Sequence, residues 1–237
     1  YNNGVNACGK DDYGSILSLS PSNWPEPNAT AAGTRTMSLL QHFASSPTSP
    51  FNSVHFGCGA KLPESLLSDH SQHNTNDKIN WHQIKPNRSD DMKNLLQSIT
   101  DCNNGPIRAV VFDRFYAEEA YSFRIREHVP NAILVLDMQD VHSLRIGRQC
   151  LVEEASSEGM TKQLMKSIME YDPTTYNHNI DNDGTITSKQ WKKAYDTFLR
   201  EIASIHRCDL VLVCSSEEMS LLESWGVPKW KMVHASF

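Results

Sequence analysis

The chain has 237 residues, of which 39% are hydrophobic and 21% charged, the balance of an ordinary globular protein and not of a disordered one. That length suits one large α/β domain or two small ones. A formal net charge of −6 with a pI near 5.9 argues against the basic surface that non-specific nucleic-acid binding needs, and no apolar run reaches the roughly 18 residues of a membrane-spanning helix.

Residues 1–14 are rich in Asn and Gly and are expected to be a loose N-terminal segment. Ser15–Ser20 reads as a short first strand. A loop with three prolines follows from Pro21 to Ala32 and ends in Ala31-Ala32-Gly33-Thr34-Arg35, ahead of a helix through Met37, Leu40 and Phe43. A strand, a glycine turn and a helix N-terminus offer backbone N–H groups to an anion; a plain helix entry explains the same letters equally well. Asn52–Cys58 is the second strand and Ile79–Ile84 the third, with the polar stretch 62–77 between them as a surface loop. Its His70 and His73 have no third ligand beside them, which argues against a metal site. Ser89 has the chemistry of an N-cap for a helix through Met92, Leu95, Leu96 and Ile99.

The organising stretch is 107–145. Two short apolar runs, Ile107–Phe112 and Ala132–Leu136, end in Asp113 and Asp137, and a helical period over Ala117–Val129 separates them. That is the pattern of a βαβ unit in a parallel sheet, and such sheets bind ligands at the carboxyl ends of their strands. A helical region through Met160, Leu164 and Ile168 comes next, then a break from Asp172-Pro173 to Gly184. From Thr187 an amphipathic helix carries Trp191, Tyr195, Phe198, Ile202 and Ile205 on one face. Cys208–Cys214 is a further buried strand, Ser215-Ser216-Glu217-Glu218 opens a last helix closing at Gly226, and Lys231–His234 is a seventh strand. The expected fold is α/β: a Rossmann-like, doubly wound parallel sheet of about seven strands with helices on both faces.

Six cysteines (Cys8, Cys58, Cys102, Cys150, Cys208 and Cys214) are widely spaced without a CxxC pair. They favour reduced, structural thiols over a disulfide framework. Two N-x-S/T triplets, at Asn28 and Asn87, arise often by chance and leave the compartment open.

Asn179, Asp181, Asp183, Gly184 and Ile186 match an EF-hand calcium loop, but its last ligand position holds Gln190 where a bidentate glutamate belongs. An Asp-Gly turn feeding a helix capped at Thr187 and Gln190 accounts for the same residues, and is preferred. Ser215 and Glu218 also have capping-box spacing, yet they stand at the end of a buried strand where ligands dock. Both readings stay open. The cluster Asp137, Asp140, His142 and Arg145 is the main candidate for chemistry, because a carboxylate beside an imidazole orients it and keeps it basic. Asp113, Arg114 and Glu118 leave the adjacent strand and are expected to share its crevice. The structural alternative is that Asp137 and Asp140 cap the next helix while Arg145 pairs with them at the surface. There is no G-x-S-x-G elbow, no G-x-G-x-x-G and no Walker loop.

The segments Ala31–Arg35, Phe112–Glu119, Leu136–Arg145, Arg200–Leu210 and Val213–Glu218, in that order, resemble the N-terminal, acceptor-side domain of GT-B glycosyltransferases of the glycosyltransferase-4-like group. The resemblance covers the chain from about Ser15 to Phe237 as a single domain, with an insertion at 171–186. It implies that the C-terminal, donor-binding domain is absent from this chain, which begins at Tyr1 without a methionine and reads as a fragment. It also implies transfer of a sugar from a nucleoside-diphosphate donor to a glycan, lipid or protein acceptor, with no cofactor required and no activity in this half alone. On the matched positions, Gly33 and Arg35 approach the donor diphosphate. Asp113, Arg114, Glu118, Asp140, His142 and Arg145 line the acceptor side, with His142 and Asp140 catalytic, Asp137 binds substrate, and Ser215 and Glu218 border the crevice. The cytoplasm, or the cytoplasmic face of a membrane, is the favoured location. The competing expectation is a non-catalytic binding module for a glycan or protein partner, with calcium at Asn179–Gln190.

Overall fold

The structure, a computed structural model, describes residues 13–26, 29–64, 79–86, 88–101, 105–155, 161–175 and 188–235. They form a Rossmann-like α/β fold on seven strands, and the strand pairings β1–β2, β1–β4, β2–β3, β4–β5 and β6–β7, in the labels given below, are all parallel. The chain divides into two compact units, Tyr1–Asp137 and Met138–Ser236.

The first unit contains β1 (Gly14–Ser20), α1 (Ala31–Ser45), β2 (Phe51–Cys58), β3 (Ile79–Gln83), α2 (Ser89–Asp101), β4 (Ile107–Asp113), α3 (Phe115–His128) and β5 (Ile133–Asp137). Its strand order is β3-β2-β1-β4-β5. The chain therefore builds outward from β1 in one direction, then crosses over and builds outward in the other. β1 is the innermost strand and is buried along its whole length, which is why its apolar residues run on without strict alternation. Leu17, Leu19, Val110, Phe112 and Leu136 are fully buried. α2 packs Met92, Leu95, Leu96 and Ile99 inward, the expected face, and begins at Ser89 itself.

The glycine turn expected before the first helix is not there. Thr30 caps α1 by accepting the Gly33 N–H at 2.9 Å, so Gly33 sits in the first helical turn. A Cβ at Gly33 would strike the Glu26 backbone, so the glycine serves close packing of the loop and not a turn.

The second unit contains α4 (His142–Glu154), α5 (Lys162–Met169), α6 (Lys189–Arg207), β6 (Leu210–Val213), α7 (Ser216–Ser224), a 3₁₀ turn (Lys229–Lys231) and β7 (Met232–His234). The single helical region expected after Arg145 is thus two helices, and the first starts earlier, at His142. Gly147 inside α4 admits the Tyr171 ring, where a Cβ would collide with it. Tyr171 in turn packs on Trp191 of α6 with ring centroids 5.7 Å apart. Among the described cysteines, Cys58, Cys150, Cys208 and Cys214 are free thiols, and the first three are buried, as small apolar side chains are.

A polar chain crosses the first three strands. Ser15 Oγ lies 2.7 Å from Ser53 Oγ, which lies 2.9 Å from His55 Nε2, and His55 Nδ1 lies 3.0 Å from His82 Nε2. Burial, reinforced by His82, lowers the pKa of His55 from 6.5 to about 4, and burial lowers His82 as well. The unfolded chain therefore binds more protons than the folded one between about pH 6.5 and pH 4, so stability rises with pH across that window. Thermal midpoints followed from neutral pH down to about 4 should fall, and His55→Asn should flatten that slope. A wild-type midpoint that ignores pH over this range would contradict the assignment.

Candidate functional site

In the first unit β1 and β4 are the neighbours at which the strand order reverses, and ligands of open parallel sheets dock outside the carboxyl ends of strands at that point. The last residues of these strands are Ser20 and Asp113. Ser20 Oγ donates to Asp113 Oδ2 at 3.0 Å. Arg114 grips the same carboxylate from the next position, Nε to Oδ1 at 3.1 Å and a terminal nitrogen to Oδ2 at 3.2 Å. Its guanidinium lies 4.9 Å from the Tyr116 ring centroid, within cation–π range.

The backbone of Arg114 is strained, with φ 68° and ψ 169°, a region almost confined to glycine and costing about 1–3 kcal/mol. Gln139, two residues beyond β5, also has a positive φ, 59°. Non-glycine strain of this kind concentrates at functional sites.

Asp137 is the cross-strand partner of Asp113, and the two are 2% and 6% exposed. Each carboxylate has its own arginine. Arg35, itself 2% exposed, binds Asp137 through Nε at 3.0 Å and a terminal nitrogen at 2.9 Å. Glu118 is buried in the first turn of α3, where the helix dipole favours a carboxylate.

In the second unit His142 and Arg145 lie in the first turn of α4. His142 Nδ1 meets Asp140 Oδ1 at 2.7 Å, and Arg145 Nε meets Asp140 Oδ2 at 3.0 Å. One carboxylate thus holds both side chains. The N-terminus of α4 is filled from within the fold. Glu201, on α6, accepts the His142 N–H at 2.7 Å and the Ser143 N–H at 3.0 Å, and Glu218 accepts the Val141 N–H at 3.3 Å. Burial pushes the Glu201 carboxyl upward, against the pull of its bonds to Ser143 and His142. Ser215 caps α7 by accepting the Glu218 N–H at 3.1 Å, one half of the expected capping box. The Glu218 carboxylate takes the other direction, to Val141.

Sequence reasoning missed Ser20 and Glu201. Ser20 was legible as a strand end but not as the neighbour of Asp113, and Glu201 read as one more charge on an amphipathic helix. Asn179, Asp181 and Asp183 of the suggested calcium loop lie outside the described residues, as do His70 and His73. Gln190 donates its amide to Glu153 at 2.6 Å. Among the described residues there is no cluster of three or more metal-ligating side chains, and no helix is long and apolar enough to cross a membrane.

No family model matches the chain, and no curated protein matches it. Solved structures do match. Os79 from O. sativa in complex with UDP is 12% identical with a TM-score of 0.50, over 92% of this chain and 50% of that one. Medicago truncatula UGT71G1 with UDP-glucose is 11% identical at 0.49, over 95% and 52%. Anabaena HepE with UDP and glucose is 10% identical at 0.46, over 94% and 44%. The chain spans about half the length of each. What is shared is the fold.

Arg35→Ala leaves a buried carboxylate without its cation and should lower the unfolding free energy by about 3–5 kcal/mol. Pairing Arg35→Met with Asp137→Leu should recover most of the loss in chemical denaturation. Glu201→Ala should speed amide exchange at His142 and Ser143, with about 1.5–3 kcal/mol lost per charge-assisted hydrogen bond. Unchanged protection there would remove Glu201 as the cap.

Proposed function

We propose that the chain is the acceptor-side, N-terminal half of a GT-B-type glycosyltransferase that moves a sugar from a nucleoside-diphosphate donor to a hydroxyl acceptor. The observation that carries this reading is the 2.7 Å pair of Asp140 and His142, a carboxylate holding an imidazole at the N-terminal end of α4. The fold shared with UDP-bound Os79 supports the choice of donor. Placement within the glycosyltransferase-4-like group rests on the order of the sequence motifs.

With Nδ1 committed to Asp140, proton uptake falls to Nε2 of His142. The acceptor hydroxyl gives its proton to that nitrogen as its oxygen bonds to the anomeric carbon. The bond from that carbon to the diphosphate oxygen breaks, and the diphosphate leaves with the electron pair. Asp140 orients the ring and stabilises the imidazolium that forms. The leaving charge is proposed to fall on basic side chains. Within the second unit, Arg145, Ser215 and Glu218 are proposed to line the acceptor side. Within the first unit, Gly33 and Arg35 are proposed to serve the donor diphosphate, Arg35 by fixing Asp137. Because the chain spans about half of each neighbour, turnover is proposed for a two-domain enzyme and not for this half alone.

In that two-domain enzyme His142→Ala should cut kcat/KM by about 10²–10⁴-fold, the usual worth of a general base, with the KM for the donor little changed. Release of UDP from UDP-glucose across an acceptor panel measures it. Turnover untouched by the substitution, in a folded variant, withdraws His142 from catalysis.

A further inference from the structure

The N-terminal ends of α4 and α7 border a cleft of about 490 Å³, inside the roughly 300–1,000 Å³ range of small-molecule sites. Its polar wall carries Asp140, Glu217 and Glu218 against Arg145 and Arg148, with Ser215 between them. Arg148 supplies the unusual feature. Its Nε is buried and has no hydrogen-bond partner among the described residues. A buried donor left unsatisfied is costly, and an oxygen arriving with a ligand would satisfy it.

The charge balance narrows the ligand. Three carboxylates against two guanidinium groups leave the wall formally negative, which repels a phosphate or a carboxylate. An apolar ligand would strip water from five charged groups and return no hydrogen bonds. A neutral molecule dense in hydroxyls answers both demands, because each hydroxyl donates to a carboxylate and accepts from a guanidinium. Val141, Leu144 and Leu221 supply apolar surface of the kind that the C–H face of a sugar ring covers. Burial pushes the Glu218 carboxyl upward, with Asp140 adding to the effect against the bond from Val141.

We propose that this cleft is the acceptor subsite and that the acceptor is a neutral saccharide chain. The inference rests on the glycosyltransferase reading above and supplies its missing substrate class.

The test titrates the full chain with maltotriose, cellotriose, N,N′-diacetylchitobiose, inorganic phosphate and phenol, followed by calorimetry and by NMR. At least one of the saccharides should bind. Arg148→Gln and Glu217→Gln should each weaken it about tenfold, the effect of losing one charge-assisted hydrogen bond. Thermal melts report whether each variant remains folded. The proposal is overturned if no saccharide binds, if phosphate or phenol alone binds, or if folded variants bind saccharide as the wild type does. Sugar transfer to a simple alcohol without saccharide binding here sinks the acceptor class and leaves the transfer reading standing. Saccharide binding here without sugar-nucleotide turnover in the two-domain enzyme does the reverse.

Discussion

Two buried carboxylates stand side by side at the ends of β4 and β5, and the first unit is arranged around keeping them apart electrically. Asp113 and Asp137 are register partners, and neighbouring strands lie only about 4.8 Å apart. Unpaired, two negative charges at that spacing in a poorly solvated site could not both persist. Arg35 reaches Asp137 from α1, and Arg114 doubles back onto Asp113 from the next residue. The second of these contacts goes with an unfavourable backbone. Arg114 holds φ 68° immediately after the strand, where an ordinary turn residue would relax. The carboxylates, their arginines and the Ser20 hydroxyl make a polar floor at the strand ends, while Leu17, Val110 and Phe112 close the apolar core behind it.

The second unit solves a related problem at one helix end. The first amide groups of α4 need acceptors, and Glu201 and Glu218 supply them from α6 and α7. This occupies the backbone donors that a free helix N-terminus offers to an anion. The side chains at this end are joined through Asp140, which holds His142 and pairs with Arg145. The proposed deprotonation of an acceptor hydroxyl suits that arrangement, because it asks for a held imidazole and not for a bare helix terminus.

Much of the fold was legible because local pattern and final structure agree. The βαβ period over 107–137 has only one stable reading, and β4, α3 and β5 fall within a few residues of their expected bounds. Errors came where one residue type serves two purposes. Gly33 reads as turn chemistry, yet its lack of a Cβ is used for contact with Glu26. His142 follows a run of polar letters that resembles a loop, while the carboxylate that starts the helix there, Glu201, stands 59 residues further along the chain.

Taken by itself, the sequence determined the α/β class, the seven strands, the inward face of α2, the buried Trp191, Phe198 and Ile205 of α6 and the aspartates at the strand ends, whereas Tyr195 and Ile202 are only half-buried and Glu201 takes a place on the inward face. Only the tertiary structure decided that β1 and β4 are neighbours at the reversal of strand order, that Arg35 answers Asp137 from 102 positions away, and that Glu218 serves α4 in place of its own helix. Those pairings join groups distant in the chain. They are selected by which buried charge needs a partner once the sheet has formed, and no local spacing encodes that need.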